Sequence, residues 1–358
     1  MKAEINNKIV DQEANGTCIV LEAGPTHFGI ESAKQLVDMA VEAGADFIKF
    51  QYLDADRLMA DKTVRFEYDY LEIDQEGTEK FVKNTELLYE VLKRRQLTKD
   101  EWKELKDYCD KKGIEMFSTA TYKDEVDFLV DELGVKSIKV NSGDVNDLEF
   151  IRYCAGKNVN IQLDTGNADI WEIERAVVEA EEQGCNNIII HLCPSGYPAH
   201  LQSINLKMIT TLKQMFGQYS VAFSDHSPGW DMDIAAVALG ADMIEKTITL
   251  DRTIKSCEHS FSLERDQAIK FVKSIRDVEI ALGSARRTIP LDVKAKRKIA
   301  RRSPYALKSL KAGELIKGSD FEFKRPGMGI TSEEFDYFVG KQLKRDIHPN
   351  EALSYDFI

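Results

Sequence analysis

Between residues 18 and 283 the chain alternates short apolar runs with segments of helical period. The runs are Cys18–Ala23, Asp46–Gln51, Ile114–Thr119, Ser137–Asn141, Asn158–Asp164, Asn187–Leu192, Ser220–Ser224 and Asp242–Thr249. Most are continuously apolar rather than alternating, as in parallel strands covered on both faces. In Glu31–Ala43, residues Ala33, Leu36, Val37, Ala40 and Val41 form an apolar stripe at helical spacing. Thr98 with Glu101 reads as a capping box opening a helix through Cys109. Trp171–Gln183 and Leu201–Met215 have the same helical texture. Eight strands alternating with helices over roughly 250 residues predict a (β/α)8 TIM barrel within residues 1–284, with an open doubly wound sheet as the alternative. Residues 52–97 break the alternation with the charged, aromatic stretches FEYDYLEID and EGTEK, and read as an insertion over the barrel mouth. Past residue 284 the texture changes. A basic stretch with eight Lys/Arg, residues 285–302, reads as a linker, and residues 303–358 as a small turn-rich domain ending in a short helix, SEEFDYFVGKQL.

Composition narrows the partners. With 43% hydrophobic and 30% charged residues the chain is an ordinary globular one. A net charge of −13 argues against a nucleic-acid or anionic-membrane surface, while leaving room for a local pocket that takes a small anion. The chain has no apolar run of the roughly 18 residues a membrane helix needs, and MKAEINNKIVDQEANG lacks the apolar core of a secretory signal. Six scattered cysteines without a CxxC pair suit reduced thiols in a cytoplasmic protein rather than a disulfide frame or a structural zinc site.

In a barrel the chemistry stands at the C-terminal strand ends. Those ends carry Glu22, Lys49 and Gln51, Ser118 and Thr119, Lys139 and Ser142, Asp164 and Thr165, Ser195 and Tyr197, Ser224, Asp225 and His226, then Glu245, Lys246 and Thr247. Lysines at strand ends are costly as unpaired buried charges and call for an anion. With the hydroxyls and the turns at Gly143 and Gly166 they make a cradle for phosphate and carboxylate. A single lysine, SGD turn or His226 has an equally ordinary structural reading; the weight lies in nearly every strand end being loaded together.

LEAGPTHFG, FIKFQ, FSTATY, IKVNSGD, LDTGN, CPSGYPA, FSDHSPGWD, ADMIEKTITLDR, CEHSFSLE, KRPGMGI and VGKQLKRDI, in this order over nearly the whole chain, resemble the sialic acid synthases. That resemblance implies a TIM barrel followed by an antifreeze-like (SAF) domain, in a domain-swapped homodimer. It implies an enzyme that condenses phosphoenolpyruvate with an N-acyl amino sugar to a nonulosonic acid, releasing phosphate. Matched residue by residue, Lys49, Thr119, Lys139, Ser142, Ser195 and Ser224 fall on phosphoenolpyruvate-binding positions. Glu22, Gln51, Tyr197, Glu245 and Glu258 fall near the sugar and the reacting carbons, Asp144 and Arg325 on sugar-binding positions. Arg325 is the residue that the resemblance carries from one subunit into the other's site.

His226 matches one of two histidine ligands of a divalent metal, manganese or magnesium, but the second is here Thr247, and a hydroxyl is a poor substitute for imidazole. His259, Glu22 and Glu258 are the available replacements as ligands, and Lys246 or His226 itself could instead polarise the aldehyde as a cation. Asp144, Glu258 and Asp164 also depart from the family's usual residues. Two other readings stand beside the main one: a synthase of shorter 3-deoxy-2-keto acids, against which the C-terminal domain speaks, and a catalytically altered barrel that binds sugar or scaffolds other enzymes.

Overall fold

The computed structural model describes residues 2–358, which divide into two compact units, with the boundary in the chain between Gly283 and Ser284. In the first, eight parallel strands close into a barrel in chain order: β1 (Cys18–Glu22), β2 (Phe47–Gln51), β3 (Glu115–Thr119), β4 (Ser137–Val140), β5 (Asn160–Asp164), β6 (Ile188–Leu192), β7 (Ser220–Asp225) and β8 (Met243–Thr247). The ring shuts where β8 pairs with β1, Glu245 opposite Val20 and Thr247 opposite Glu22. Seven strands lie within their expected runs, β7 extends one residue beyond its own to Asp225, and the open-sheet alternative falls.

The strands bury both faces, but with different chemistry. Outward positions such as Ile19, Leu21, Ile48, Phe50, Ile161, Leu163, Ile188, Ile190 and Phe223 join the helices in one apolar cluster. Inward positions at the N-terminal end, including Val20, Phe47, Phe117, Ile189, Ala222 and Met243, pack against Ala3, Ile5 and Val10 of an antiparallel hairpin. That hairpin plugs the bottom of the barrel, its Ala3 amide donating to Ser220 Oγ at 3.0 Å.

The helices follow the expected periodicity with two differences. In Ile30–Ala43 the stripe shifts slightly: Met39 and Ala43 are buried, whereas Val41 is 38% exposed. The single helix expected over Leu201–Met215 is two, Leu201–Ile204 and Lys207–Met215, interrupted by Asn205 in the left-handed region (φ 51°). Asn tolerates that conformation, so a helical period alone does not reveal the break. Thr98 and Glu101 do form a reciprocal capping box, on the helix Lys99–Lys112.

Residues 52–97 fold as a short helix (Ala55–Leu58), a long hairpin (Arg65–Ile73 against Glu79–Leu87) and a second helix (Leu88–Lys93). The hairpin docks on the loop after β8. Ser260 Oγ donates to the Asp69 carbonyl at 2.9 Å, Arg252 pairs with Glu79 at 2.7 Å, and Tyr68 packs with Val91 and Cys257. This sets the insertion at the C-terminal mouth.

In the second unit the basic stretch 285–302 contains a ten-residue helix, Leu291–Ala300, with no buried residue. Beyond it, strands Ser303–Ala306 and Phe321–Lys324 pair around a core of Leu310, Ile316, Phe335, Leu343 and Ile347. The expected terminal helix reduces to a single 3-10 turn, Phe335–Tyr337. Gly329 of KRPGMGI is fixed by packing: a Cβ there would lie 2.0 Å from the Leu353 carbonyl oxygen. Among the described residues no helix is long and apolar enough to cross a membrane.

A second glycine bears on the barrel mouth. A Cβ on Gly24 would lie 2.6 Å from Gln51 Cγ and from the Gln51 amide nitrogen, and 2.7 Å from Glu22 Oε1. Gly24→Ala is expected to cost about 1–3 kcal/mol by overpacking, read as a lower urea midpoint with an unchanged slope; an unshifted midpoint would contradict the close approach.

Candidate active site

Period-two alternation aims one residue set of each strand down the barrel axis. Above the apolar floor these inward residues turn polar: Glu22, Lys49, Thr119, Lys139, Gln162, His191, Ser224, Glu245 and Thr247 are all buried. Lys49 and Lys139 share one carboxylate. Lys49 Nζ lies 2.8 Å from Glu245 Oε1, and Lys139 Nζ lies 2.9 and 3.0 Å from the two Glu245 oxygens. Lys49 also pairs with Glu22, while Lys139 reaches Asp164 at 3.1 Å and donates to Ser224 Oγ at 2.9 Å. These lysines are therefore not free cations waiting for an anion, as their strand-end positions suggested. An incoming anion has to take them over from Glu22, Glu245 and Asp164.

The network continues inward through residues that the strand ends did not show. Ser224 Oγ lies 2.9 Å from His191 Nδ1, and His191 Nε2 lies 2.7 Å from Gln162 Oε1. Gln162 donates to Ser137 Oγ at 2.8 Å and Ser137 to Asn160 at 2.7 Å, so polar contacts run from mouth to floor. Burial would raise the Glu245 carboxyl, but the Lys139 and Lys49 ammonium groups hold it well below the usual carboxylate range. Burial would lower Lys139, yet Asp164 and Glu245 push it up instead. For Lys49 burial wins and its value is lowered. Burial, then the Lys139 charge, lowers His191 to about 3, keeping it neutral.

Over this cluster opens a cavity of about 310 Å³, lined by Gln51, Asn141, Ser142, Asp164, Cys193, Tyr197 and Glu258 from the barrel loops and by Phe66, Leu88, Val91, Leu92 and Arg95 from the insertion. Glu258 adopts a left-handed backbone conformation (φ 76°). Ser142 accepts from Asn167 at 3.2 Å, and Ser195 Oγ donates to the Gly166 carbonyl. The structure thus gathers Glu22, Gln51, Lys49, Lys139, Ser142, Tyr197, Ser224, Glu245 and Glu258 at one mouth, with Thr119 and Thr247 buried at their strand ends. Of these, Gln51, Ser142, Tyr197 and Glu258 line the cavity and Glu22, Lys49, Lys139, Ser224 and Glu245 do not, nor does Asp144, half-buried in the turn after β4. Arg325 is an exposed residue of the second unit.

Two sequence expectations need correction. Lys246 has the opposite parity to Glu245 and points outward, bonded to Asp225, to the Ser227 carbonyl at 2.6 Å and 3.5 Å from Asp233, so it cannot polarise a substrate in the mouth. His259 is fully buried, stacked on Phe28 with ring centroids 5.4 Å apart and bonded to Thr249 Oγ1 at 2.7 Å; it does not stand in for a metal ligand beside Thr247.

The His226 ring packs against Tyr197 with centroids 4.6 Å apart and planes inclined by 37°, its Nδ1 3.3 Å from the Pro194 carbonyl oxygen. No three His, Cys, Asp or Glu side chains among the described residues group in a metal-holding arrangement. One imidazole beside a threonine hydroxyl is a poor donor set for manganese. The one-imidazole set does not fit the family's two-histidine metal centre.

A closed parallel barrel with lysines, carboxylates and hydroxyls converging at its C-terminal mouth, followed by a small β-rich unit, defines an α/β-barrel enzyme with an anion-handling site. Residues 36–287 match the model of the NeuB family and residues 301–358 that of the SAF domain, and the chain belongs to the NeuB family. It is 32% identical to the N,N'-diacetyllegionaminic acid synthase of Legionella pneumophila over 98% of both chains. It is 31% identical to a pseudaminic acid synthase of Campylobacter jejuni, over 94% of each. Its fold matches the crystal structure of an N-acetylneuraminic acid synthetase from Leptospira borgpetersenii in complex with citrate with a TM-score of 0.66 at 26% identity, covering 80% of this chain and 93% of that one.

The buried histidines set an expected pH response. His191 and His259 are lowered to about 3 and His27 to about 4, each mainly by burial, from an ordinary 6.5. The unfolded chain therefore takes up protons first as pH falls below 6.5, and stability declines. The depressed Glu245 and Asp164 act in the same direction at lower pH, whereas Asp233, Glu115, Glu125 and Asp144, raised by burial, act in the opposite one. Melting temperature is expected to drop steadily between about pH 6.5 and 4, and a flat profile across that window would contradict the neutral buried imidazoles.

Proposed function

We propose that the protein is a nonulosonic acid synthase: a phosphoenolpyruvate-dependent transferase that joins phosphoenolpyruvate to the aldehyde of an N-acyl amino sugar and releases phosphate. The single observation that carries this reading is the Lys49–Glu245–Lys139 cluster under the mouth of a barrel whose family is shown. Two ammonium groups held at one carboxylate are placed to receive a second, more highly charged anion. Relatives named for three different nonulosonic acids support the reaction class more than any one sugar. They also leave little support for an inert scaffold or a synthase of shorter keto acids.

In the proposed reaction C3 of phosphoenolpyruvate attacks the aldehyde carbon of the open-chain sugar. The aldehyde oxygen takes up a proton to become a hydroxyl, balanced by the proton that the water added at C2 gives up, and C2 becomes an electron-poor centre. Water adds there, and cleavage of the bond from C2 to the phosphate oxygen leaves the 2-keto acid. Lys49 and Lys139, with Thr119, Ser142, Ser195 and Ser224, hold the carboxylate and phosphate. Gln51 and Tyr197 orient the sugar. Glu245 keeps the two lysines together, and Glu22 or Glu258 positions and deprotonates the water. The family metal would supply polarisation of the aldehyde oxygen, but this donor set does not fit it. Asp144 and Arg325 are assigned to the sugar, Arg325 from one protomer to the barrel of its partner in a domain-swapped homodimer.

Phosphate release from phosphoenolpyruvate is expected only when an N-acyl amino sugar is present. Lys139→Ala, which strands Glu245 and Asp164 with one fewer cation, is expected to cost about 2–5 kcal/mol of transition-state stabilisation or to abolish turnover. Wild-type kinetics in that variant would overturn the site. For the dimer, Lys49→Ala and Arg325→Ala proteins, each impaired alone, are expected to regain activity when mixed and allowed to exchange subunits; exchange without recovery would overturn the shared site.

A further inference from the structure

The polar contacts that run from the floor of the barrel to Lys139 have a fixed direction, set by backbone groups at the floor. Asn187 Oδ1 accepts from the Glu4 amide at 2.8 Å, and Asn187 Nδ2 donates to the Glu4 carbonyl at 2.7 Å. Asn160 Nδ2 donates to the Asn187 carbonyl at 3.1 Å and to its Oδ1 at 3.0 Å, which leaves Asn160 Oδ1 facing Ser137. That oxygen can only accept, so Ser137 gives it its one hydroxyl proton. Gln162 therefore turns its amide NH2 to Ser137 and its Oε1 to His191 Nε2, and that nitrogen has to carry the ring proton. Burial keeps the imidazole neutral, so His191 Nδ1 is bare and accepts the hydroxyl proton of Ser224. Ser224 Oγ is left with its lone pairs toward Lys139 Nζ, 2.9 Å away.

Ser224 is the neutral member of the Lys139 shell. Glu245 and Asp164 face the other N–H bonds of the ammonium, and an arriving anion has to compete with their charges. A hydroxyl oxygen orients the ammonium without cancelling its charge, provided that its own proton is turned away. We propose that His191 is a positioning residue for phosphoenolpyruvate: it takes the Ser224 proton, turns the serine oxygen to Lys139 and so fixes the direction in which that ammonium meets the anion. Ser224 then holds phosphoenolpyruvate through Lys139 rather than by donating to it. This rests on the barrel being the synthase proposed above.

The first test reads the ring itself. In isotope-labelled wild type, long-range proton–nitrogen NMR spectra are expected to show His191 as the Nε2–H tautomer, without titration between about pH 8 and 5. Ser224→Ala identifies the His191 signals by shifting them. An Nδ1–H tautomer, or a ring that protonates in that range, would overturn the proposal whatever the activity. The second test is a kinetic cycle with phosphoenolpyruvate and an N-acyl amino sugar. His191→Phe and Ser224→Ala are each expected to raise KM for phosphoenolpyruvate on the order of tenfold, with kcat and KM for the sugar near wild type. Because His191 acts through Ser224, the double variant should be no worse than either single one. An unchanged KM in His191→Phe, losses that multiply in the double variant, or losses shared equally by kcat and both KM values would each overturn the proposal while leaving the synthase reading intact. Where His191→Phe does not fold, the tautomer decides. Absence of phosphate release by wild type with every acceptor would instead overturn the synthase reading itself, and the proposal with it, even with the expected tautomer.

Discussion

Two lysines sharing one buried carboxylate organise this protein. Glu245 stands on β8 between Lys49 of β2 and Lys139 of β4, so the contacts cross the barrel rather than run along its wall. Removing charges from water is expensive, and such a cluster persists only where each member has partners of opposite sign and further hydrogen bonds. Here Glu22, Asp164 and Ser224 complete the set. The apolar floor and the N-terminal hairpin beneath keep solvent out from below, which leaves the mouth as the route by which a ligand can reach the lysines.

The mouth divides chemically. The barrel strands supply charge and hydroxyls, the groups suited to a small polyanion. The insertion supplies Phe66, Leu88, Val91 and Leu92 with one arginine, the groups suited to a less charged molecule. A condensing enzyme needs both kinds of surface in one cavity, because its two substrates differ in charge.

Much of this was legible in the chain because parallel strands buried on both faces leave a strong apolar signature. All eight were found, and strand ends such as Lys49, Lys139 and Glu245 marked the mouth. What stayed hidden had physical reasons. Gln162 and His191 lie inside apolar runs, and only the inward parity of β5 and β6 singles them out. Lys246 was misplaced because adjacency to Glu245 in sequence means the opposite side of the sheet. Arg95 comes from a segment without strand or barrel-helix periodicity, and its burial depends on the docking of the hairpin onto the loop after β8. The break at Asn205 turns on one left-handed residue that carries no periodic signal.

Closure of the ring also has a temporal side. Glu22 and Lys49 are translated early, but Glu245 follows Lys49 by 196 residues. At ordinary ribosome speeds that is an interval of about 10–40 seconds, during which the strand pairing that closes the ring cannot form. For that time the early lysine and its acid stay in water, where their charges are harmless. Desolvation comes only with the last strand, when the shared carboxylate arrives with it. The costliest burial in the molecule thus coincides with the emergence of the group that compensates it, and a nascent chain halted before β8 would hold an open, hydrated sheet rather than a barrel with an unpaired interior.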